Sequence, residues 1–156
     1  MGRLSKALTN IHEMMKPYGK MLICFIGKSI LYDVFHSVSN NPKWKKYMSE
    51  INKTSPPYHS MHYYETLLKK IGFEQFESEE VKKHRSYSEQ ETFGSNYLFY
   101  SLNVYPIPKS QEHEFIQDHM EFFEKKGYLT VDDDGVKRFH FHYNLFVISA
   151  TKSLII

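Results

Sequence analysis

Nine histidines, one cysteine and a run of three aspartates are the side chains from which catalysis or metal binding could be built in this sequence. His140 and His142 lie two apart, so on a strand they share a face and could ligate a cation; His59 and His62 form a second, looser pair. Nothing supplies a third ligand at a recognisable spacing, and the histidines read as exposed strand and loop residues. Asp132-Asp133-Asp134 before Gly135 lacks the alternate spacing of a calcium loop and reads as a solvated turn. Cys24 sits inside the apolar run Met21 to Ile26, where a thiol is expected to be buried as a small hydrophobe. No G-x-S-x-G elbow is present, and no two of the seven glycines form a G-x-G pair. Neither a metal site nor a catalytic residue is expected from these side chains.

The elements that would position these groups follow from periodicity. Leu4, Ala7, Leu8, Ile11, Met14 and Met15 recur at helical spacing, and Pro17 pushes Lys16 out of the α region, so a helix stops there and Gly19 takes the turn. Met21 to Ile26 has no polar alternation, which predicts a strand buried on both faces in a sheet interior. Ser29 to Met48 reads as helical or mixed, interrupted at Asn40-Asn41-Pro42, and Thr54-Ser55-Pro56-Pro57 as a rigid loop. Tyr64, Leu67, Leu68 and Ile71 make a helix stripe that Gly72 caps, followed by a strand over Phe73 to Val81 whose Glu77 to Glu80 charges suit a sheet edge. A helix is predicted between Ser88 and Tyr105, then another from an N-cap at Ser110 to Gly127. Phe139 to Thr151 is a long aromatic and β-branched strand.

At 156 residues the chain has the length of one domain, with 41% apolar and 24% charged residues, a globular composition. A net charge of +2 with scattered lysines gives no concentrated field, so no nucleic-acid partner is expected. The absence of a long apolar segment argues against a membrane span, and the single cysteine suits a cytoplasmic setting.

Two motifs carry a resemblance. Asn10-Ile11-x-x-Met14-Met15-Lys16-Pro17-x-Gly19 and Leu67-Leu68-Lys69-Lys70-Ile71-Gly72-Phe73 resemble the approaches to the fifth and sixth strands of class I, S-adenosylmethionine-dependent methyltransferases. Pro42-Lys43-Trp44-Lys45-Lys46-Tyr47-Met48 with Ser55-Pro56-Pro57-Tyr58-His59-Ser60 is similar to the juvenile hormone acid methyltransferases of arthropods. That family has Gly-Gly where this chain reads Tyr18-Gly19. The likeness covers residues 5 to 75 most firmly.

The resemblance implies an α/β fold: a truncated, Rossmann-like half-domain of about three strands, the last one antiparallel, with residues 86 to 128 as a helical cap between the last two strands. It also implies that residues 1–156 are the C-terminal part of a methyltransferase domain, with the cofactor-binding half absent. Full-length relatives bind S-adenosylmethionine and methylate a lipophilic isoprenoid or fatty carboxylic acid. Such a transfer needs little acid-base help, since the acceptor is already a carboxylate and placement and desolvation supply most of the rate. Gly27-Lys28-Ser29 falls at the carboxyl end of the first strand present, where open α/β sheets bind ligands. Trp44, Tyr47, Tyr58 and His59 occupy the narrower signature and are the implied substrate-binding residues, although Trp44 and Tyr47 at i, i+3 also suit helix packing.

Without a cofactor cradle the chain is expected to be inactive alone. An alternative reading is a noncatalytic module for a partner chain or apolar ligand, and another is an unrelated fold of three strands with accidental motifs. Lacking its inner neighbour, the first strand becomes an open edge, which predicts marginal stability and self-association.

Overall fold

The structure, a computed structural model, describes residues 3–55, 57–88, 91–92 and 105–153. In chain order it runs α1 (Arg3–Met14), β1 (Lys20–Ser29), α2 (Ile30–Ser39), α3 (Pro42–Lys45), α4 (Ile51–Thr54), α5 (Met61–Ile71) and β2 (Phe73–Ser88). A 3-10 turn (Lys109–Gln111) then leads into α6 (Glu112–Lys125), β3 (Leu129–Val131) and β4 (Lys137–Lys152). The helix expected between Ser88 and Tyr105 falls largely outside the described residues.

The sheet has four strands in the order β1-β4-β2, with β3 paired to β4. Tyr18 N–H donates to the Lys152 carbonyl at 3.1 Å and Lys152 N–H to the Gly19 carbonyl at 2.9 Å, so β1 begins where β4 ends. On the other side Ser153 N–H reaches the Gly72 carbonyl at 3.1 Å, and His84 lies opposite His140. The last strand is therefore central and antiparallel to both neighbours. β3 joins it as a short hairpin, Leu129 opposite Phe139, so four strands replace the expected three.

Contacts divide the chain into two units. The first comprises Met1–Lys28, Tyr58–Lys83 and Asn144–Ile156. There α1 packs on α5, and Leu8, Met21, Tyr64, Leu68, Phe73, Phe146, Ile148 and Ala150 form the core. Ser60 caps α5 through Tyr63 N–H, and Gly72 ends it at φ 109°, in the left-handed region. The Lys152 ammonium donates to the His12 and Met15 carbonyls at 2.8 and 2.9 Å, satisfying carbonyls left over at the end of α1.

The second unit comprises Ser29–Pro57 and His84–Tyr143. α2 packs on α6, and Val34, Phe35, Trp44, Phe115, Phe123 and Phe139 are central to its core. The Asp132 to Gly135 segment is a turn, with the Asp132 carboxylate accepting from Val136 N–H at 2.8 Å and from Arg138 at 2.8 Å.

Several local expectations are corrected. β1 is not sheathed on both faces: its burial alternates, and Leu22, Cys24 and Ile26 are exposed. Cys24 is therefore a surface thiol, because the residues that flank it in space cover only the Met21, Ile23 and Phe25 side. Ser110 is not an N-cap, since the turn already starts after Pro108 (Gln111 N–H to the Pro108 carbonyl, 2.8 Å) and α6 is entered from Gln111 without a side-chain cap. Part of the Thr54 to Pro57 loop is helical, Ile51–Thr54 forming α4. Tyr18, not Gly19, takes the left-handed turn, at φ 59°. Gly19 is needed instead for close approach, because a Cβ there would sit 2.9 Å from the Lys16 carbonyl oxygen.

Candidate functional site

Trp44 and Tyr47 lie in the second unit, fixed by α3 and the turn after it. Asn41 caps α3 by accepting from Lys43 N–H at 3.0 Å, and its amide donates to Asp118 at 3.3 Å. Trp44 is fully buried, with its ring edge-on to Phe115 at 5.0 Å and its indole N–H donating to the same Asp118 carboxylate. The Tyr47 hydroxyl donates to Gln111 at 3.1 Å, while the Lys43 ammonium lies 4.7 Å from the Trp44 ring and pairs with Glu114. Every polar atom on this pair is engaged by protein.

Tyr58 and His59 lie in the first unit, at the carboxyl end of β1, and are far more open. Tyr58 is 53% exposed, with its ring 6.3 Å from Phe146 and the Lys28 ammonium 6.0 Å from its centroid. His59 stacks on Tyr63 at 4.1 Å and 17°, and Tyr63 meets Tyr64 edge-on at 5.3 Å. Tyr64 in turn contacts Phe25 and Phe146. One ammonium beside a connected aromatic surface can attract a carboxylate and hold an apolar tail next to it.

Gly27, beside Lys28, is not an open cradle for a cofactor. A Cβ there would meet the Phe146 ring at 2.6 Å, so the glycine exists to admit that ring. Ser29 is the N-cap of α2, accepting from Leu31 N–H at 3.2 Å. The described residues at this strand end therefore do not fit S-adenosylmethionine by themselves.

The histidines gain a member that the sequence hid. β2 continues past Val81 to Ser88 and brings His84 against the pair on β4, its Nε2 3.0 Å from His140 Nδ1 and its ring stacked on His142 at 4.6 Å. His140 Nε2 is also 2.7 Å from Thr130 Oγ1. Partial burial, then the neighbouring His84, His142 and Arg138 charges, hold His140 below its usual value. No group of three His, Cys, Asp or Glu residues among those described is arranged to hold a metal ion. No alternation marks β2 beyond its acidic run, since Lys82 to Tyr87 are all exposed, so periodicity carried no signal for His84. Likewise no described helix is long and apolar enough to cross a membrane.

A more deeply buried histidine lies on α6. His119 Nδ1–H donates to the Phe115 carbonyl at 2.7 Å, its ring sits edge-on to Phe115 and Phe35, and its Nε2 has no partner. Burial pushes it down to about 4, so the imidazole is neutral at physiological pH.

No protein-family model matches the chain. It is 23% identical over 154 residues to the juvenile hormone acid O-methyltransferase of Bombyx mori and 24% identical over 155 residues to that of Drosophila melanogaster. These alignments take in 94% and 96% of this chain and 55% and 52% of the relatives, so the chain spans about half the length of the curated relatives it matches. Among solved structures it is similar to the YcgJ protein of Bacillus subtilis (TM-score 0.48, 12% identity, 98% of this chain and 59% of that one). It is also similar to Haemonchus contortus phosphoethanolamine N-methyltransferase 2 in complex with S-adenosyl-L-methionine (TM-score 0.39, 15% identity, 98% and 30%). Over about half of their length, the chain is a distant homologue of the juvenile hormone acid O-methyltransferases.

Proposed function

We propose that this chain is the acceptor-side half of an S-adenosylmethionine-dependent O-methyltransferase acting on the carboxyl group of a lipophilic isoprenoid or fatty acid. The observation that carries the reading is similarity along nearly the whole chain to two enzymes named for a lipophilic acid. The strand end supports it: Lys28 attracts the carboxylate, while the aromatic surface of Tyr58, His59 and Tyr63 takes the apolar tail. Trp44 and Tyr47 act by packing, holding α3 against α6 through Asp118 and Gln111. Since the acceptor is ionised at neutral pH, methyl transfer needs no base and asks only for alignment. The cofactor is held by the part of the domain that residues 1–156 do not span, and these residues by themselves do not transfer methyl.

The test is transfer of labelled methyl from S-adenosylmethionine to a long isoprenoid acid after the chain is combined with a cofactor-binding half taken from a relative. Transfer is expected only in the combination, with Lys28→Met raising KM for the acid at least tenfold and leaving kcat near its starting value. Transfer by the chain alone, or a KM untouched by Lys28→Met, would overturn the assignment. A noncatalytic, partner-binding module is the second reading, favoured by the exposed apolar side chains of β1.

A further inference from the structure

β4 sends Phe139 and Phe141 towards α6, where both meet the Phe123 ring edge-on, so His140 and His142 face the other way, beside Thr130 of β3 and His84 of β2. On this outer face three strands are joined at one level. His140 Nε2 lies 2.7 Å from Thr130 Oγ1, and its Nδ1 lies 3.0 Å from His84 Nε2. Those two ring planes are 16° apart with centroids at 5.2 Å, the disposition of imidazoles that meet head-on through a hydrogen bond rather than face to face. One hydrogen fits between the facing nitrogens. His142 lies against the His84 ring at 4.6 Å and 19°, and Tyr128 tilts against His142 at 5.9 Å.

Such a row tolerates one added proton and not two. With both rings neutral, the Thr130 hydroxyl and a single ring N–H close it in either direction. A first added proton is taken up by His140, which then donates to the Thr130 oxygen and to His84 Nε2 together. A second puts hydrogens on both facing nitrogens, removes their bond and sets two cations head to head, with His142 able to bring a third charge against the His84 ring. The carboxylates of the adjoining segments are engaged elsewhere, Asp132 by Arg138, Glu80 by Asn144 and Glu91 by Ser88. Arg138 on β4, and Lys82, Lys83 and Arg85 beside His84 in the sequence of β2, carry positive charge as well.

We propose that the row Thr130, His140, His84 is an acid-released clasp, which closes β2 onto β4 while it carries no more than one added proton and frees the end of β2, from His84 to Ser88, on taking a second. The device is separate from the activity proposed above. Beyond the backbone ladder, burial gives that end little retention: Lys82 to Tyr87 are all exposed, and Tyr87 reaches the core with its ring edge-on to Phe141 at 5.4 Å. Partial burial, and after it the His84, His142 and Arg138 charges, hold His140 below its usual value in the folded chain. Because the folded value is the lower one, the stability of the closed row is complete above the unfolded 6.5 and declines as pH falls below it.

Amide hydrogen exchange and histidine ring NMR of the full chain, followed from about pH 7.5 to about pH 5 with exchange corrected for its intrinsic pH dependence, test the clasp. Protection of the amides from His84 to Ser88 should fall at least tenfold over that range while that of Met21 to Ile26 holds. The His84 and His140 ring signals should titrate in two linked steps. His84→Gln keeps a side-chain partner for His140 Nδ1 but takes up no proton, so its protection should persist at about pH 5, and His142→Gln should move the opening of the parent row to lower pH. Unchanged protection in the parent chain, an equal loss in His84→Gln, or independent titration of the two rings overturns the proposal. So does a loss that Met21 to Ile26 shares, which would be general unfolding. Should His84→Gln fail to fold, the exchange and ring titration of the parent chain decide by themselves.

Discussion

The four residues of the narrower signature divide into a locked pair and an open pair. Trp44 and Tyr47 sit where indole, hydroxyl and ring faces are all taken by Asp118, Gln111, Phe115 and two lysines. Tyr58 stands at a strand end with half of its surface exposed and the Lys28 ammonium over its ring, and His59 beside it is stacked on Tyr63. Residues adjacent in one motif are thus held differently: the first pair is engaged by the protein around it, and the second lies nearer the surface. Substitution separates the two roles because loss of packing and loss of a ligand contact are read by different measurements.

The largest effect is expected on the locked side. Trp44→Ala empties a fully buried site and leaves the Asp118 carboxylate with the Asn41 amide alone of its two donors, which should cost about 3–5 kcal/mol in urea unfolding. A loss below ~1 kcal/mol would break the contrast. His119, in the same core, gives a pH signature. Its folded value of about 4 lies below the unfolded 6.5, so the unfolded chain takes up the proton first. The stability conferred by the neutral imidazole is complete above pH 6.5 and is lost as pH falls towards about 4, on the order of 3 kcal/mol in all. Unfolding midpoints from pH 4.5 to 7.5 should slope accordingly, and His119→Leu should flatten the curve by about one proton.

Smaller effects fall on the open side. Tyr18→Gly relieves a left-handed backbone (φ 59°) and should stabilise by about 1 kcal/mol at the thermal midpoint. Destabilisation instead would mean that the exposed phenol makes a contact outweighing the strain. Tyr58→Ala should stay within about 0.5 kcal/mol of the parent in stability while weakening capture of a long-chain acid in the reconstituted pair. A marked stability loss with intact capture would reverse the roles given to the two pairs.

Much of this was legible in the sequence. The apolar stripe of α1, the Gly72 stop of α5, the Asp132 to Gly135 turn and the long last strand all follow from local periodicity and turn chemistry, which need no knowledge of distant residues. The signature singled out Tyr58 and His59 as candidates but could not reveal that Lys28 would stand beside Tyr58. What escaped was non-local. Which face of Met21 to Ile26 is covered depends on partners brought from α1, α5 and β4, and a hydrophobic run cannot say how many of its neighbours are supplied. His84 joined His140 and His142 only through strand register. Trp44 found Asp118 across 74 positions of sequence.

The central place of β4 bears on how the molecule is made. β1 ends at Ser29 and waits for a partner that begins at Lys137, roughly 100 residues later on the ribosome, on the order of ten seconds at ordinary translation rates. Among the described residues neither β1 nor β2 has a strand to pair with until β4 emerges and inserts between them. The sheet therefore closes only once β4 has emerged, and until then Met21 and Phe25 lack the Phe146 and Ile148 side chains with which they share a core.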